Sequence, residues 1–162
     1  MKHTIRIQLE YKFDVIRDIE IPSEKSLKCL HYAIISSLKL DKNEIASFYL
    51  TNEELEILQE IPLFRIDDKD ESIIDMSEIK IESVLQEPNS QLIYVYDFLK
   101  MWRFLISYTK KTEDKSKHIK VINSIGNMPK EAPEINFESD TEIDSFKSIE
   151  DDIHEEFNDS EY

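Results

Sequence analysis

Four stretches of this sequence alternate apolar and polar residues with a period of two, and they commit the chain to a fold built on a sheet. Over residues 4–11, Ile5, Ile7, Leu9 and Tyr11 oppose Arg6, Gln8 and Glu10. Residues 15–21 repeat the pattern, and the short link through Lys12, Phe13 and Asp14 predicts an antiparallel hairpin. Residues 91–108 are the most strand-like run of all. Leu92, Tyr94, Tyr96 and Phe98 fall on one face, with Ile93, Val95 and Asp97 on the other. Trp102, Phe104, Ile106 and Tyr108 then share a face, which predicts a second hairpin turning at Leu99-Lys100. Shorter strands are expected over 47–51 and 118–123. Residues 57–66 contain Pro62 and read as a loop plus an edge strand.

One segment breaks the alternation. Leu27, Leu30, Ile34 and Leu38 recur at helical spacing, with Ser23 or Ser26 placed to cap the helix. Residues 76–85 predict a second, short helix. The fold class expected is α+β: a mixed, mainly antiparallel sheet with a helix on one face.

Charge divides the chain in two. From Glu131 to Tyr162 thirteen Asp and Glu stand against Lys147 alone, so this stretch carries −12 of the whole chain's −15. The expected organisation is an α+β domain over 1–133 and an acidic amphipathic helix or tail over 134–162. Ile143, Phe146, Ile149, Ile153 and Phe157 are spaced three or four apart, which places them on one side of a helix as a partner-docking stripe. Ser139-Asp140-Thr141-Glu142 fits a capping box at its start.

Composition then excludes several functions. The single glycine, Gly126, cannot supply a glycine-rich phosphate loop or a nucleophile elbow. Turns must rely on Asn, Asp, Ser and Pro. The one cysteine, Cys29, forbids an intrachain disulfide and leaves no basis for a cysteine zinc site. No metal and no cofactor is expected. Lys110, Lys111, Lys115, Lys117 and Lys120 form the one basic cluster, with no interleaved aromatic for base stacking, so direct duplex DNA binding is not expected. No apolar run approaches the ~18 residues of a membrane span, and the chain reads as cytoplasmic.

Three short patterns carry a family resemblance. Leu27-Lys28-Cys29-Leu30-His31 resembles an L-x-x-L-H motif. Tyr94-Val95-Tyr96-Asp97-Phe98, followed by Trp102 and Phe104, is similar to Y-x-Y-D-F-G-D-x-W. Gly126-Asn127-Met128-Pro129-Lys130-Glu131 is similar to G-x-x-P-x-E. In order and spacing these resemble a bacterial family named after the third open reading frame of the Ri plasmid, some members of which are labelled insertion-element passenger or TnpR-like proteins. The order and spacing agree across about residues 1 to 133, and the tail lies outside the resemblance. The resemblance implies an α+β fold and a link to mobile elements, but no reaction. The family's Gly-Asp turn is Leu99-Lys100 here, so what those groups do elsewhere is not implied for this chain.

Asp97 and His31 are the candidate catalytic residues. A carboxylate inside an apolar strand is costly unless bonded, so Asp97 is either a general base or a structural carboxylate that receives backbone N–H groups at the hairpin or pairs with Arg103 or His31. His31, among Leu27, Leu30 and Ile34, is either a ligand or base, or a hydrogen-bonded histidine at the edge of the core. Cys29 lies about 160° from His31 around the helix, so the two form no local pair. Trp102 and Tyr96 are the candidate binding residues. The leading functional expectation is a non-enzymatic interaction module whose acidic tail docks on the body or on a protein partner. The alternatives are an enzyme of unknown reaction using Asp97 and His31, and an acidic mimic of nucleic acid.

Overall fold

The computed structural model describes residues 1–65, 67, 69 and 71–130. β1 (Lys2–Leu9) and β2 (Ile16–Pro22) form the expected first hairpin, with Ile5 opposite Ile19. α1 (Leu27–Leu38) follows, then β3 (Ala46–Thr51) and β4 (Ile57–Pro62). After the one-turn helix α2 (Ile81–Val84) come β5 (Gln91–Tyr96), β6 (Trp102–Thr112) and β7 (Lys120–Ile125). The seven strands make one sheet in the order β4-β3-β5-β6-β1-β2-β7.

Every pairing in that sheet is antiparallel. The mixed sheet expected from the sequence is therefore corrected to a wholly antiparallel one among the described residues. The reason lies in the connection from β2 to β3. α1 carries the chain past β1, β6 and β5, and those three strands fill the space where a parallel neighbour would otherwise form.

Register explains the core. Leu9, Phe104, Tyr94, Phe48 and Ile61 stand directly opposite one another across β1, β6, β5, β3 and β4. The Tyr94 ring lies 4.8 Å from Phe48 and 5.8 Å from Phe104. Leu27, Leu30, His31, Ile34, Ile35 and Leu38 of α1 are buried with this row. Each large aliphatic side chain so buried stabilises the fold by about 1.5–3 kcal/mol relative to exposure. On the reverse face Ser47, Ile93 and Val95 are buried as well.

Local signals set the ends of α1. Ser26 caps it by accepting the Cys29 N–H at 3.2 Å. Lys39 ends it in the left-handed region, φ 58°. The helix expected over 76–85 is two pieces, a 3-10 turn at Met76–Glu78 and α2. Ile79 between them is extended because its carbonyl accepts the Leu27 N–H at 2.8 Å while the Ile81 N–H donates to Lys25 at 2.9 Å. Tertiary pairing overrides the helical pattern there. The last strand starts and ends two residues later than the alternation suggested.

With one glycine, other residues must supply the left-handed conformations. Asn89 and Asp97 do so, as expected of their type, but so do Lys39, Leu55 and Met101. Gly126 is required where it stands: φ is 72°, and a Cβ there would come within 2.1 Å of the Asp14 carbonyl oxygen.

Candidate functional site

At the end of β5 the chain turns on Asp97. Its φ is 61°, and its N–H donates to Ile45 at 2.8 Å. Its carbonyl accepts from Lys100 at 3.1 Å and Met101 at 2.6 Å. Its carboxylate accepts the N–H groups of Leu99 and Lys100 at 3.1 and 3.3 Å. Backbone and side chain of Asp97 together thus organise the turn between β5 and β6. The left-handed residues are Asp97 and Met101, outside the Leu99-Lys100 pair on which the hairpin was expected to pivot, and Phe98 leaves the strand face for the turn.

Tyr96 and Trp102, the candidate binding pair, stand directly opposite each other across β5 and β6. The Tyr96 hydroxyl donates to the Asp41 carbonyl at 2.5 Å, and burial pushes its pKa up to about 12. With Asp97, Lys39, Met128 and Lys130, these two side chains line a cavity of about 280 Å³ at the end of the sheet. Two of the three motif stretches read from the sequence therefore meet in space. The cavity has lysines and carboxylates on its walls and the chain's exit toward residue 131 at its rim.

His31 does not line that cavity. It is 0 % exposed, and its Nδ1 shares a hydrogen bond of 2.7 Å with the Tyr94 hydroxyl. Burial, with a further push from the Lys28 charge, lowers its pKa to about 4. Its Nε2 has no partner among the described residues. The first motif is thereby tied to the second through the core. No hydrogen bond joins His31 to Asp97: one is held by the sheet's central tyrosine, the other by its own turn.

A second concavity lies between α1 and β7. Cys29, Tyr32, Ala33, Ile119 and Val121 floor an open groove of about 410 Å³. Lys117, His118 and Lys120 are exposed beside Ile119. Ser37, also in its wall, accepts the Arg17 Nε–H at 3.0 Å through its carbonyl. Arg17 is buried, donates otherwise to the Ile16 and Ile125 carbonyls, and has no carboxylate partner among the described residues. The groove is thus apolar at its floor, with the buried Arg17 guanidinium behind the Ser37 carbonyl in its wall.

Sequence reading passed over this groove because its two walls come from elements some ninety residues apart. It also passed over His3, whose ring stacks on Tyr108 at 3.7 Å and whose Nε2–H donates to Leu85 at 2.9 Å. The stripe Ile143, Phe146, Ile149, Ile153 and Phe157 lies outside the described residues. Among the described residues no three His, Cys, Asp or Glu side chains gather as metal ligands do, and no helix is long and apolar enough to cross a membrane.

The model of the family described as plasmid pRiA4b ORF-3-like protein matches residues 2–159, so the match extends through the acidic stretch that the motifs left outside the resemblance. Among solved structures, the crystal structure of a protein of unknown function, MM3350 from Methanosarcina mazei Go1, is similar in fold. It is 16% identical, with a TM-score of 0.61 over 76% of this chain and 68% of that one. No curated protein matches the sequence.

Proposed function

This chain belongs to the plasmid pRiA4b ORF-3-like family, and from that premise we propose that it works as a non-enzymatic interaction module whose acidic tail docks on its own body. The observation that carries the reading is the groove between α1 and β7. Its apolar floor suits the stripe Ile143, Phe146, Ile149, Ile153 and Phe157. The exposed Lys117, close to Ile119 in sequence, offers a charge to the thirteen carboxylates of residues 131–162.

Reach supports the same pairing. Lys130 lines one cavity with Lys39, which ends α1. Twelve residues separate Lys130 from Ile143, enough for roughly 40 Å of extended chain. A protein partner that takes the stripe would do so in competition with the groove. The role of His31 as a core bond and of Asp97 as a turn residue supports a body that scaffolds rather than catalyses.

Cys29 offers the test, because it lines the groove and is the only thiol in the chain. In the full chain, Phe146→Ser with Ile149→Ser is expected to speed iodoacetamide modification of Cys29 severalfold. High salt should also speed it in the unsubstituted protein, by screening the charged contacts. Equal rates in all these cases would discard the docking.

A further inference from the structure

A third concavity, on the reverse face of the sheet, has a different chemistry. In the β3–β4 pair Tyr49 stands opposite Glu60 and Ser47 opposite Pro62, on the side away from Phe48 and Ile61. Ser47 is 0 % exposed, and its hydroxyl donates to Glu60 Oε2 at 2.7 Å. The Tyr49 hydroxyl donates to the same oxygen at 3.3 Å. Burial and the Glu60 charge together raise the Tyr49 pKa, which keeps that hydroxyl protonated as a donor. Glu60 Oε1 has no hydrogen-bond partner among the described residues, and Glu60 makes no ion pair with any of them.

Around this oriented carboxylate the walls are mostly hydrocarbon. Ile45, Leu63, Phe64, Ile73 and Phe98 enclose a cavity of about 380 Å³, with Gln59 and Ser72 as further polar lining beside Glu60. That volume falls in the range of small-molecule sites. Phe64 is 59% exposed and Phe98 40%, so both rings stand open to whatever enters. No lysine or arginine among the described residues lines the cavity. Lys28, from α1, places its ammonium 5.3 Å from the Phe64 ring centre, from outside the cavity lining.

We propose that this cavity binds a small amphipathic organic cation, an aryl- or alkylammonium. The ammonium pairs with Glu60 and the hydrocarbon lies between Phe64 and Phe98. A neutral apolar occupant would leave the carboxylate desolvated without compensation. An anionic one would meet it charge to charge. The cation alone satisfies the free oxygen and the apolar walls at once. This site is on the other face of the sheet from the groove proposed for the tail, and it stands without that docking.

The probe is 2-phenylethylammonium, titrated into the full chain by calorimetry or by amide shifts, beside neutral 2-phenylethanol and anionic 3-phenylpropionate. Saturable binding of the ammonium is expected, and Glu60→Gln should weaken it about tenfold or more. Phe64→Ala should weaken it as well, while 2-phenylethanol binds the unsubstituted protein no more tightly than Glu60→Gln. Glu60 and Phe64 are exposed, so both variants keep the fold, which a thermal melt verifies. No saturable ammonium binding, an affinity unchanged by Glu60→Gln, or tighter binding of 3-phenylpropionate would each overturn the site.

Discussion

His31 Nδ1 and the Tyr94 hydroxyl, 2.7 Å apart, tie the long helix to the middle row of the sheet. His31 is held neutral by its burial, and Tyr94, buried between Phe48 and Phe104, is held protonated by its own. The pair therefore works as a neutral bond, which makes the helix–sheet junction sensitive to acid.

That sensitivity has a defined window. The folded pKa of His31 is lowered to about 4 from 6.5, so the unfolded chain binds the proton first. Stability is full above about pH 6.5 and declines as pH falls toward 4, by up to about 3 kcal/mol from this residue. His3, also lowered by burial, adds to the same trend. Urea unfolding at pH 7.5 and 4.5 should show it, and His31→Gln should flatten the slope. An identical slope in the variant would contradict the assignment.

Asp18 acts in the opposite charge sense. Arg6, directly opposite on β1, donates through Nε and Nη2 at 2.8 and 2.9 Å, and Asn123 of β7 donates at 3.1 Å. The Arg6 hydrogen bonds hold the Asp18 carboxyl below its usual range, with Asn123 helping. Its contribution is present above about pH 4 and is lost as pH falls through the lowered folded value. Because Arg6 is partly exposed, Asp18→Asn should cost only about 1 kcal/mol at pH 7. The difference from wild type should vanish in strong acid, as read by guanidinium melts at the two pH values.

Asp97 should be judged by its turn. Asp97→Asn keeps a side-chain oxygen for the Leu99 and Lys100 amides and tolerates φ 61°, so it should be nearly neutral in stability. Asp97→Ala loses both features and should cost about 1–2 kcal/mol. Equal melting temperatures for the two variants would remove the structural role.

Left-handed positions give a reciprocal pair. Lys39→Gly relieves φ 58° at an exposed helix end and should stabilise by about 0.5–1 kcal/mol. Gly126→Ala drives a methyl group onto the Asp14 carbonyl and should destabilise by about 2 kcal/mol or more. Thermal melts of the two variants should move in opposite directions.

Much of the scaffold was legible because alternation reports which face a residue takes. Ile5, Ile7, Leu92, Tyr94, Phe104 and Ile106 all appear in the core where period two put them. The helix at Leu27 was legible for the same kind of reason, down to its Ser26 cap. What alternation cannot report is partnership. That β1 sits between β2 and β6, or that α1 borders β7, depends on contacts a hundred residues apart. The Ile79 break depended on Leu27 and Lys25, far from the local pattern. Asp97 and His31 could be singled out as groups that need partners, but whether those would be amides, a tyrosine or each other was not written in their spacing. The Glu60 cavity was hidden in a stretch that reads locally as a loop plus an edge strand.

The placement of β1 has a temporal consequence. Its Ile5 and Ile7 must wait for Tyr108 and Ile106, more than ninety positions downstream. At translation speeds of about 5–20 residues per second, the nascent hairpin spends roughly 5–20 seconds with one side unmatched. During that interval a ribosome-bound chain exposes a sticky ribbon, so its safe delivery depends on how quickly β6 emerges or on a chaperone that shelters the first hairpin until it does.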